Sequence, residues 1–158
     1  MSFVKIQRLA TRSSMTIAIG TPLIGGAILC ADSRVVASDG ATTTDGKLLL
    51  SAASNKTLFA IADAAHDGRA AKMLSKDILD AARKNPYAPV QEITKVMKPW
   101  FNSYENSGAP STQFILASVI DDGWSKLYFC EPPATVLEID EPIAIGFGSV
   151  LSNLFSRA

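Results

Sequence analysis

Two short apolar runs that meet at a pair of glycines and end in a carboxylate constrain this chain more than any other feature. Ile17 and Ile19 fall on one face of the first run, Thr16 and Ala18 on the other. That two-residue alternation is the period of a β-strand. Thr21-Pro22 and Gly25-Gly26 predict a turn, and Ala27-Ile28-Leu29-Cys30-Ala31 predicts a second strand that ends at Asp32. The predicted hairpin thus joins a hydroxyl at one end, Thr16, to a carboxylate at the other. Asp32 follows Thr16 by 16 residues, and Lys47 follows Asp32 by 15 across a polar loop.

Elements beyond the hairpin alternate between types. Lys47-Leu48-Leu49-Leu50 and residues 57–62 read as a second hairpin about Ser54-Asn55-Lys56. Residues 35–38 extend the second strand before the Asp- and Gly-rich loop 39–46. A long helix is predicted over 64–84, with Ala70, Met73, Leu74, Ile78, Leu79 and Ala82 at helical spacing, stopped by Asn85-Pro86. A second helix over 90–104 carries Ile93, Val96, Met97, Trp100 and Phe101 on one face. Strands return at 113–120, 125–129, 135–139 and 143–146, and a last helix begins near Ser149. Strands, two helices, more strands and a helix is an α+β order, with helices covering sheets.

In this order Thr16, Ala31-Asp32-Ser33-Arg34, Lys47, Phe59-Ala60-Ile61-Ala62 with its helix, and Ala144-Ile145-Gly146-Phe147-Gly148-Ser149 resemble the proteasome-type β-subunits and their bacterial relatives. These are N-terminal-nucleophile hydrolases. The resemblance runs from Thr16 through nearly the whole chain, with Lys47 one residue closer to the aspartate than in many members. It implies a proteasome-like αββα sandwich, two antiparallel sheets between helical layers. It also implies a threonine endopeptidase in which Thr16, Asp32 and Lys47 are catalytic, no cofactor is used, the substrate is a peptide or unfolded protein, and subunits form a homo-oligomeric ring or join related subunits. Family members continue into further helices and closing strands, so a domain over 16–158 is expected to be incomplete at its C-terminus.

The chemistry sets a condition on residues 1–15. A threonine hydroxyl needs a base, and a free α-amine, with a reference pKa of about 7.7–8.0, suits that task near neutrality. An amide nitrogen has no basic lone pair, so Thr16 with Met15 still attached cannot work in this way. Lys47 would stabilise negative charge on the hydroxyl oxygen, and Asp32 would hold the ammonium in place. Residues 1–15 carry Lys5, Arg8 and Arg12 with Ser2, Ser13 and Ser14 and no acid. They read as a leader, a propeptide or a stretch upstream of the true start at Met15; a transit peptide has the same composition. Ser14 is the second-choice nucleophile, since it needs a two-residue adjustment in the 21–25 turn that Thr16 does not.

Two residues depart from the family. Where members usually offer an oxyanion-hole glycine, this chain has Asp63, which reads structurally as the N-cap of the first helix. A carboxylate about 5 Å from a developing oxyanion would repel it by roughly 3 kcal/mol at an effective dielectric near 20. One oxyanion-hole donor contributes a similar amount, about 2.7–4 kcal/mol. Phe147 stands where a serine would approach the nucleophile, and it cannot relay a proton. With a blocked amine, Asp63 and an incomplete C-terminus, the chain from Met1 to Ala158 is expected to be catalytically silent. Two other readings stay open: a non-catalytic ring-forming subunit, and an amidohydrolase acting on small amides.

Composition narrows the rest. The chain has 158 residues, one domain by size, of which 47% are hydrophobic, enough for a sizeable core. Fifteen basic and fifteen acidic residues cancel, which removes the electrostatic case for nucleic acid. No apolar run approaches a membrane span, so no membrane partner is expected. Cys30 and Cys130 lie in apolar runs and read as small buried hydrophobes in a reducing cytoplasm. Asp63, His66 and Asp67 could face one side of a helix start, but without a cysteine or second histidine they read as helix-end charges, and no metal is expected. Trp100 and Trp124 read as core.

Overall fold

The first hairpin forms as its alternation dictates. In the computed structural model, which describes residues 17–36, 42–44, 47–54, 57–64, 68–104, 112–120, 124–131 and 133–146, strand β1 (Ile17–Leu23) pairs antiparallel with β2 (Gly26–Ala31). On its other side β1 pairs with β10 (Ile143–Gly146), with Ile17 opposite Gly146 and Gly20 opposite Ile143. The turn is tighter than expected, because Thr21 and Pro22 stay in β1 and Gly25 closes the hairpin at φ 72°. Pro22 is tolerated there for a geometric reason. The Asp32 N–H donates to the Ile17 carbonyl, which sets the ladder so that position 22 turns its nitrogen away from β2, and pairing with β10 has already ended at Gly20.

A second antiparallel sheet has the order β5 (Leu48–Ser54), β6 (Thr57–Ala64), β7 (Gln113–Ile120), β8 (Trp124–Glu131), β9 (Thr135–Ile139). Two expectations about the segment before it are corrected. Val35 and Val36 do not extend β2, and residues 37 and 38 lie outside the described residues; β3 (Arg34–Val36) instead pairs with β4 (Thr42–Thr44), inside the stretch read as loop. Three β-branched threonines favour extended backbone in an otherwise turn-rich sequence.

Helices α1 (Gly68–Lys84) and α2 (Val90–Tyr104) follow β6. The start of α1 is a further correction. β6 runs through Asp63, opposite Phe114, to Ala64 opposite Gln113, so pairing with β7 takes the backbone that was assigned to the helix, and Asp63 is not its N-cap. The other end falls as expected, with α1 stopping before Asn85-Pro86. The last predicted helix, near Ser149, lies outside the described residues.

β7 is buried on both faces and separates two cores. Phe114 and Leu116 join Phe59, Ile61, Tyr128 and Cys130 beneath Leu74 and Ile78 of α1 and Ile93, Met97 and Phe101 of α2. Full burial of each such side chain stabilises by about 1.5–3 kcal/mol. Ile115 and Ala117 face the other way, packing with Ala18, Leu127 and Ile145 between the two sheets. That gap is narrow. A methyl on Gly20 would come within 2.7 Å of Ile115 Cγ2, so the absence of a side chain lets β1 approach β7. The protein is therefore α+β, two antiparallel sheets packed face to face, with the two described helices covering the five-stranded sheet.

Several side chains sit elsewhere than their pattern suggested. Met73 is exposed, and so is Cys30, which lies opposite Ile19 on the outer side of the three-stranded sheet. Cys130 is buried as expected, and burial pushes its thiol up to about 12. Trp100 packs against the helix-side core, whereas Trp124 lies outside both cores in a tilted contact with Tyr87, ring centroids 5.5 Å apart.

Candidate functional site

Two charged groups meet at the mouth of the gap between the sheets. The first is the Asp32 carboxylate, placed immediately after β2 by the ladder. Its Oδ1 accepts the Ile17 N–H at 2.9 Å, while the Asp32 N–H donates to the Ile17 carbonyl at 3.0 Å. Asp32 therefore grips both main-chain groups of the residue that follows Thr16 in sequence. The second group is the ammonium of Lys47. Its Nζ lies 3.0 Å from both Asp32 oxygens, and Lys47 is only 6% exposed. A charge so withdrawn from water is tolerated only with such a partner.

Lys47 directly precedes β5, and its neighbour Leu48 pairs with Ala62 of β6, so the ion pair bridges the two sheets. The same register brings the backbone of Asp63, the next residue of β6, to this end of the five-stranded sheet. Thr16, Ser14, His66, Asp67 and Phe147 lie outside the described residues. Of the catalytic set read from the sequence, the structure brings Asp32 and Lys47 into direct contact, and Ile17 joins them. Among the described residues no group of His, Cys, Asp and Glu is arranged to hold a metal ion, and no helix is long and apolar enough to cross a membrane.

The sequence reading missed a third polar contact. Gln113, first residue of β7, accepts the Gly146 N–H on its Oε1 at 3.1 Å and donates from Nε2 to Glu131 Oε1 at 2.7 Å. Gly146 pairs with Ile17 and holds φ at 68°, a conformation that suits glycine. A signal for the Gln113–Glu131 half of this contact was present. The antiparallel pairing of β7 with β8 puts Gln113 and Glu131 one step beyond the Phe114 and Cys130 pair.

This arrangement can do a definite kind of chemistry. A buried ammonium held by a carboxylate beside the start of a strand is a fixed positive charge, suited to stabilising an oxyanion or an alkoxide on a neighbouring hydroxyl. No protein-family model and no curated protein sequence matches the chain. Its fold does match solved structures. Anbu, an ancestral beta-subunit, from Hyphomicrobium sp. strain MC1, solved as a Gly-1 mutant, has a TM-score of 0.71 at 18% identity, over 90% of this chain and 64% of that one. Anbu from Pseudomonas aeruginosa, solved as a helical assembly, gives 0.61 at 15%, over 90% and 65%. Eukaryotic HslV from Trypanosoma brucei gives 0.63 at 14%, over 89% and 77%. The chain thus spans a little under two thirds of the length of these Anbu proteins. What it shares with these Anbu and HslV structures is the fold, two antiparallel sheets packed face to face with helices over one of them.

Proposed function

We propose that the chain is a proteasome-type subunit built around a threonine nucleophile, Thr16, which becomes competent when residues 1–15 are removed. The observation that carries this reading is the convergence of the Ile17 N–H and the Lys47 ammonium on Asp32, one residue from Thr16. With its α-amine free, Thr16 would pass its hydroxyl proton to that amine as Oγ1 attacks a peptide carbonyl. The amine would return the proton to the leaving nitrogen as the peptide C–N bond breaks and an ester to Oγ1 remains. Water, deprotonated by the same amine, would then hydrolyse the ester and restore the hydroxyl. Lys47, held by Asp32, would stabilise the charge that develops on oxygen. With Met15 still attached the nitrogen of Thr16 is an amide, and this route would be closed.

The residue type at position 63 favours a second reading, a non-catalytic subunit that uses this framework for assembly. A carboxylate there opposes oxyanion formation. An amidohydrolase acting on small amides is a third reading. The P. aeruginosa neighbour was solved as a helical assembly. Ile19, Leu23, Ile24 and Ile28 of this chain are exposed, an apolar surface that supports self-association here too. The test begins with the mass and N-terminal sequence of the mature protein, which should start at Thr16. Hydrolysis of a fluorogenic peptide in preference to small amides, abolished by Thr16→Ala, supports the peptidase. Correct maturation with no turnover supports the assembly subunit.

A further inference from the structure

We infer that Gln113 is a positioning residue: its amide, oriented by Glu131, fixes Gly146 and thereby one flank of Ile17, the residue that joins the proposed nucleophile to β1. The inference deepens the proposed function, resting on Thr16 for its catalytic meaning but on geometry independent of Thr16.

The amide has only one workable orientation. A main-chain N–H can only donate and a carboxylate accepts, so Oε1 must face Gly146 and Nε2 must face Glu131. Few side chains serve both partners. Glutamate would accept from Gly146 but meet Glu131 as a like charge, lysine has no acceptor, and asparagine is one methylene shorter. Gln113 is thus selected by chemistry at both ends.

Its location gives the contact a consequence. Ile17 is engaged on its β2 side by Asp32, through both N–H and C=O, and lies against Gly146 on its β10 side. Asp32 is tied to the five-stranded sheet by Lys47, and Gly146 is tied to the same sheet by Gln113. Two polar bridges therefore run from that sheet to the two flanks of Ile17. Between them lies an apolar cluster, and hydrophobic contact has no preferred direction; the Ser125 hydroxyl, which donates to the Leu23 carbonyl, ties the far end of β1. The bridges fix where β1 starts, and a displacement of about 1 Å at a reacting group can cost on the order of 100-fold in rate.

The test is amide hydrogen exchange, resolved by residue, on the full chain from Met1 to Ala158 carrying Gln113→Leu, Gln113→Glu, or Gln113→Glu with Glu131→Gln. Either single substitution should lower protection of Gly146 and Ile17 at least tenfold, with Leu74, Ile78 and Leu116 unchanged. The double variant reverses the polarity of the pair, since the introduced carboxylate accepts from both Gly146 and the introduced amide, and should return protection to within threefold of the parent. Unchanged Ile17 protection in the single variants, loss spread evenly over the core, or no recovery in the double variant would each overturn the inference. The readout needs no nucleophile, so an inactive Thr16 would sink the proposed function and leave this result standing or falling alone.

Discussion

The two faces of the five-stranded sheet are built from different materials. Toward the helices, Phe59, Phe114, Tyr128, Met97 and Phe101 fill a deep apolar layer. Toward the three-stranded sheet the residues are smaller, Ala18, Ala117 and the side-chain-free Gly20 among them, and polar bridges hold the open end. The first face supplies most of the burial that stabilises the fold. The second is thin because Gly20 lets β1 sit close against Ile115 of β7, and the polar bridges fix where that strand starts. Stability and positioning are thus assigned to opposite sides of one sheet, and substitutions on the two sides should differ in kind.

The largest effect is expected on the helix side. Phe114→Ala should cost about 4 kcal/mol, within the range for a fully buried aromatic, read as a fall in the urea midpoint, with the Ile17 amide affected only through global unfolding. Asp32→Ala comes next. It leaves the Lys47 ammonium buried without its carboxylate, at about 3 kcal/mol, the low end for a broken buried pair because the Asp32 side chain is 28% exposed. Unchanged stability would show that the pair contributes nothing. Gly20→Ala should cost about 2 kcal/mol by overpacking against Ile115 and, unlike Phe114→Ala, should shift the amide resonances of β1 in the folded state.

Alkaline pH probes the helix side again. Burial pushes the Cys130 thiol up to about 12 and, together with the neighbouring Glu138, raises Tyr128 to about 12. Above pH 9 the unfolded chain releases a cysteine proton that the native state keeps, and above pH 10 a tyrosine proton as well. Stability should therefore be unaffected near neutrality and fall by about 1.4 kcal/mol per pH unit for each group above those points. Cys130→Ala should flatten the slope between pH 9 and 10. The smallest effect is chemical. Iodoacetamide should modify exposed Cys30 quickly and buried Cys130 only on unfolding, read by peptide mass.

What could be read from the sequence follows the same division. The limits of α2, β7, β9 and β10 agree with the alternation and punctuation that announced them, because local pattern and burial point the same way. The start of α1 was not legible. Asp63 has the chemistry of a cap, and only its pairing with Phe114, distant in sequence, decides for strand. Cys30 was misread because an apolar strand does not declare which of its faces is covered. At the site, the contact of Asp32 with Lys47 could be anticipated from spacing and family resemblance. The pairing of Gln113 with Glu131 was implicit in the β7–β8 hairpin, but its bond to Gly146 was not legible, since it depends on a glycine corner in a different sheet.

The central claim is that Asp32 and Lys47 serve a nucleophile at Thr16 whose amine is blocked in the full chain. A peptide epoxyketone tests it directly, because ring formation requires the hydroxyl and the free amine of one residue. Mass spectrometry should find the adduct on Thr16 in protein that begins at Thr16, and none in the Met1–Ala158 chain or in Thr16→Ala. An adduct on Thr16 of the full chain, or none on folded protein that begins at Thr16, would contradict the account.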